Sequence, residues 1–205
     1  MTVHHTRELH PNISVPDPHQ DTFSKTTLGF WMYLMTDCLI FVTLFCAYAV
    51  LHTSTFGGPS SKDLYSLPMA FTETIVLLLS SATCGLGVLA AVKNHKKSAM
   101  LWLSVAFICG ASFVSMELAE FSGLVAEGNS WTRSAFLTSF FALVGTHGLH
   151  VSIGLFWLLV IIGQLFFKGI TKETFRRLVV FSMFWHFLDL VWIFIFTFVY
   201  LMGVI

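Results

Sequence analysis

Five apolar stretches, each long enough to cross a lipid bilayer, leave this chain few folds to choose from. They run over about residues 28–51, 68–92, 98–124, 134–166 and 178–203, and a helix needs roughly 20 such residues to span the hydrocarbon core. Inside that core a backbone amide finds no water, so a spanning segment is either a helix or a strand of a closed barrel. None of the five alternates apolar with polar residues at period two, which removes the barrel. The expected fold class is therefore all-α: an integral membrane bundle of five transmembrane helices within residues 28–205, preceded by a polar, flexible tail over residues 1–27. The tail holds Pro11, Pro16, Pro18 and four histidines, and it lacks the apolar segment of a cleaved signal.

Charge sorts the connections. Charged residues make up 11% of the chain, against about 25% in soluble domains. Zero net charge and the lack of a basic block argue against a nucleic-acid partner. Of the 11 lysines and arginines, nine lie in the tail, in the "KNHKK" turn at 93–97 and in the loop at 167–177; only Lys62 and Arg133 lie on the other side. The positive-inside rule then puts the N-terminus in the cytoplasm and the C-terminus in the periplasm. Cys38, Cys46, Cys84 and Cys109 all fall in apolar runs without a CxxC pair, and read as small packing side chains rather than as a disulfide or metal set.

Titratable residues inside the spans are the natural candidates for function, because hydrocarbon makes them costly to retain. The first span carries Asp37 and the second Glu73. The last three each hold a pair at i,i+3, on one helix face: Glu117 and Glu120, His147 and His150, His186 and Asp189. Counting from the helix ends sets both histidine-bearing pairs near mid-membrane and the glutamates toward the outer surface. Depth alone would let His147 or His150 bond His186 or Asp189, and would leave the glutamates to Arg133 or water. Gly145, Gly148 and Gly154 would let helix backbones approach closely. Trp31, Trp102 and Trp131 sit at span ends, as interface anchors do, whereas Trp157, Trp185 and Trp192 lie deeper and suit packing.

Three chemistries remain open for the buried pairs. They could form a hydrogen-bonded seam between helices, ligate a redox cofactor through His147, His150 and His186, or mark an ion path. The ExxE, HxxH and HxxD pairs depart from the two Glu-x-x-His motifs of a four-helix carboxylate metal site. No phosphate-binding loop, dinucleotide fingerprint, nucleophile elbow or zinc-protease motif occurs.

The order of motifs resembles a known family. "FFALVGTHGLHVSIG" (140–154) and "FWHFLDLVWIFIFTFVYLMG" (184–203) are similar to the last two helices of subunit III of the haem–copper terminal oxidases. "GFWMYLMTDCLIF" (29–41) resembles that family's helix with a buried carboxyl, and "MELAEF" (116–121) its acidic helix end. Longer members have seven spans; the five-span form resembles the version in bacterial bo-type quinol oxidases, where the large subunit supplies the other two helices.

The resemblance implies a non-catalytic subunit of a proton-pumping ubiquinol oxidase in the bacterial cell inner membrane, with subunit III of a cytochrome c oxidase as the alternative. It implies partners in subunits I, II and IV, in membrane lipids and, through the complex, in ubiquinol. It implies no cofactor in this chain, with haem and copper in subunit I. His147, His150, His186 and Asp189 become structural groups at helix contacts. Asp37 matches a position where the family often has a glutamate near the proton-uptake route, and the shorter side chain weakens the case for direct transfer. The lipid cleft beside the first two helices of seven-helix members would be altered or missing.

Overall fold

The computed structural model describes residues 18–54 and 67–201, with side chains from residue 24 onward. Among the described residues there are five α-helices and no strand: α1 (Pro18–Leu51), α2 (Leu67–Val92), α3 (Lys96–Ala126), α4 (Ala135–Lys168) and α5 (Lys172–Ile195), the last running on into a π-helical turn, Phe196–Leu201. Each contains a segment long and apolar enough to cross a membrane.

The helix ends have local causes. Helix α1 is described from Pro18 and takes in residues 18–27, which the sequence pattern assigns to the tail; residues 1–17 of that tail lie outside the described residues. A helix can continue past the apolar zone on polar residues. The α2–α3 turn is closed by Asn94 at φ 57°, a left-handed position asparagine tolerates. Lys96, at the start of α3, donates through Nζ to the Phe166 carbonyl near the end of α4, at 3.0 Å. Ser134 caps α4 by accepting from the Leu137 amide, and Thr171 caps α5 by accepting from the Thr174 amide, both at 3.2 Å.

Helices α2, α3, α4 and α5 pack in a ring in which each touches the next and α5 closes on α2; α1 lies outside it, in the groove between α4 and α5. Small residues line the α2–α3 contact, among them Cys84, Ala91, Ala99 and Ala106. Trp185 and Trp192, seven residues apart on α5, fill the ring's interior with Phe113, Phe140 and Tyr200.

Glycine acts here differently from the close backbone approach expected of it. A Cβ on Gly154 of α4 would stand 2.8 Å from the Trp185 ring, and one on Gly110 of α3 would stand 2.9 Å from the same ring. The two glycines make a slot for an indole. At Gly145 the nearest group is the Phe121 ring, at an ordinary 3.7 Å.

Candidate functional site

The polar side chains do not form one seam; they divide among three places. The first is the α1–α4 contact. Asp37 is buried, and its Oδ2 lies 3.4 Å from Nε2 of His150, longer than a well-formed hydrogen bond. Nδ1 of His150 is 2.7 Å from the Thr146 carbonyl, so that nitrogen carries a proton. Nε2 and the carboxyl then meet favourably only with a second proton between them, on the ring or on the acid. Tyr33, one turn before Asp37, stands close to the same carboxyl. His150 therefore meets the first span rather than the fifth, correcting the expectation from depth.

The second place is the α2–α5 contact. Ser81 Oγ lies 2.6 Å from Nδ1 of His186, and Asp189 interacts with both. Deeper in the ring, the Trp185 indole donates to Ser80 at 3.2 Å, and Ser80 donates to the Ala106 carbonyl of α3 at 2.8 Å. One serine thus joins three helices. The Trp192 indole donates to Thr74 at 3.1 Å, and Thr74 donates to the Ala70 carbonyl.

The third place is acidic. Glu73 of α2 lies near Glu117 and Glu120 of α3, and Tyr200 from the π-helical turn donates to Glu120 at 3.2 Å. Glu73 is 0% and Glu117 3% exposed. Both Glu73 oxygens and Oε1 of Glu117 lack a hydrogen-bond partner among the described residues, the situation ordered water relieves. The Glu117 carboxyl presses on Gly148, where a Cβ would be 2.6 Å from Oε2. The glutamates meet one another instead of Arg133, which donates to Asn129 on its own loop.

His147 joins none of these. It is fully buried, both ring nitrogens lack a hydrogen-bond partner among the described residues, and its ring stacks on Trp192 at 5.3 Å and 29°. Phe113 meets it edge-on at 5.9 Å. The three mid-membrane histidines thus have three different neighbours: an indole, an aspartate and a serine. Among the described residues, no three His, Cys, Asp or Glu side chains are grouped to hold a metal ion.

Between α1 and α5 runs an apolar groove of about 590 Å³, bordered by Phe41, Phe45, Cys46, Leu190, Phe194 and Phe198. The hydroxyl partners Tyr33, Thr74, Ser80, Ser81 and Tyr200 escape a search confined to carboxylates and histidines. One signal was available: hydroxyls six apart on α2, at 74 and 80, match indoles seven apart on α5.

Comparison with known proteins adds what geometry leaves open. The family model described as cytochrome c oxidase subunit III matches residues 15–204. The chain is 53% identical to the cytochrome bo(3) ubiquinol oxidase subunit 3 of Pseudomonas aeruginosa over 187 residues, covering 91% of this chain and 90% of that protein. Its counterpart in Pseudomonas putida is 50% identical over 185 residues, covering 90% and 89%. The cytochrome c oxidase subunit 3 of Bacillus sp. strain PS3 is 40% identical over 178 residues, covering 87% and 86%.

Proposed function

The chain belongs to the cytochrome c oxidase subunit III family, and from that premise we propose that it is subunit 3 of a bo-type ubiquinol oxidase. The observation that carries this reading is the 53% identity with a ubiquinol oxidase subunit across nine-tenths of both chains, against 40% for a cytochrome c oxidase subunit. The complex oxidises ubiquinol, reduces dioxygen to water and moves protons outward across the bacterial cell inner membrane.

Within it this chain holds no redox centre; haem and copper belong to subunit I, and subunits II and IV complete the assembly. The dispersal of His147, His150 and His186 into separate contacts supports a structural role for these residues. Helix-linking bonds such as Trp185 to Ser80 give the bundle a fixed shape, which suits a permanent partner that supports subunit I. Asp37, facing His150 across 3.4 Å, stands near the proton-uptake side of that partner. The N-terminus is cytoplasmic and the C-terminus periplasmic, in line with the nine-to-two split of basic residues.

Purification in mild detergent tests the reading. The chain is expected to bring down a haem-bearing quinol oxidase, while the chain isolated from it shows no Soret band and no stoichiometric iron or copper. Tightly bound metal on the isolated chain would overturn the assignment of its histidines.

A further inference from the structure

A single histidine interrupts an apolar outer surface. His186 stands midway along the Lys172–Leu201 segment, and its side chain is exposed. Around it the surface of α5 is Leu190, Ile193 and Phe194, between 41% and 53% exposed, continuing into the groove shared with α1.

The inner side of the ring is satisfied. Nδ1 lies 2.6 Å from the buried Ser81 hydroxyl, and Asp189 stands close to both. Nε2 is then the ring's remaining hydrogen-bonding atom, and it has no partner among the described residues.

Lipid cannot supply one. At mid-membrane the acyl chains carry no hydrogen-bonding group, and the headgroups are about 15 Å away. Polar side chains at this depth are ordinarily met by protein, through bonds between neighbouring helices.

We propose that the outer face of α2 and α5 around His186 is the docking surface for a transmembrane helix of another subunit of the same oxidase. That helix would offer a hydroxyl or an amide to Nε2 of His186, groups that pair with the ring in either tautomer. The proposal rests on the oxidase reading above and adds to it which face is covered.

Photocrosslinking in the intact complex tests it. With benzoylphenylalanine in place of Leu190, one turn beyond His186, irradiation is expected to join the chain to a second oxidase subunit. Adducts to lipid alone, or to another copy of this chain, overturn the proposal. In parallel, His186→Leu should lower the fraction of chain retained with the haem-bearing subunit about three- to fifteenfold, while His186→Gln, with its polar tip, should recover most of it. Equal retention of parent and His186→Leu also overturns it. A parent chain that brings down no haem protein removes the oxidase reading itself. A parent that does so, with only lipid adducts at 190, removes the docking surface alone.

Discussion

His150 of α4 faces Asp37 of α1 across 3.4 Å, while its far ring nitrogen is engaged by the Thr146 carbonyl. An amide can still meet the ring: Asp37→Asn should preserve the fold, whereas Asp37→Leu should lower stability by about 1 kcal/mol by leaving the half-buried His150 ring without its partner. Thermal melting of the purified complex, carried through the Asp37→Leu and His150→Leu double-mutant cycle, should return a coupling of about 0.6–1.7 kcal/mol. A coupling of zero would mean that the two residues are neighbours without interacting.

The same Asp37→Asn variant separates structure from proton movement. If the carboxyl helps supply protons to the neighbouring subunit, initial quinol oxidation stays near the parent rate but activity fades sooner during turnover. Oxygen-electrode traces with identical decay for both proteins would remove Asp37 from the proton route.

Two glycine substitutions should rank in a definite order. Gly154→Ala drives a methyl against the rigid, buried Trp185 ring, while Gly148→Ala meets the end of a glutamate side chain that can turn aside. Overpacking costs about 1–3 kcal/mol, and Gly154→Ala should lie at the upper end. Adding Glu117→Ala should rescue Gly148→Ala and leave Gly154→Ala unchanged. Melting temperatures of the four proteins read this directly, and equal losses for both glycines would contradict the slot described for the indole.

Ser80→Ala should cost more than an isolated hydroxyl would suggest, because Ser80 both accepts from Trp185 and donates to the Ala106 carbonyl. About 1–3 kcal/mol is expected from leaving a buried indole N–H unpaired. Ser80→Thr, which keeps the oxygen, should retain part of it; a Ser80→Ala variant that melts with the parent would show that water replaces the link.

Orientation is open to a simple topology assay. A phosphatase active only in the periplasm should report activity when fused after residue 205 and none when fused within the 93–97 turn. The reverse pattern would invert the assignment made from basic residues.

The spans were legible because bilayer thickness dictates their length, and each stretch read from hydropathy overlies one of the five helices. Helix α1 started earlier than its apolar run because hydropathy marks where lipid begins, not where hydrogen bonding stops. Partners were less legible. Position along a span gives depth, yet the direction in which a side chain faces depends on which helices adjoin. His150 and His186 share a depth, but α1 comes between α4 and α5 on one side and α2 flanks α5 on the other. Asp37 and Ser81 therefore claim the two rings separately. His147 shows a second limit: its neighbours are aromatic faces, and a search for polar complements has no means of finding Trp192 or Phe113. The acidic trio escaped for a third reason, since a search for complementary partners does not pair one carboxyl with another.

Helix α1 leaves the ribosome first, yet it rests on α4 and α5, the last two to be made. During synthesis its aspartate is not met by His150 until nearly the whole polypeptide has been threaded. Translation order and docking order run in opposite directions, so a chain cut short before α4 would strand α1 with no surface to settle on.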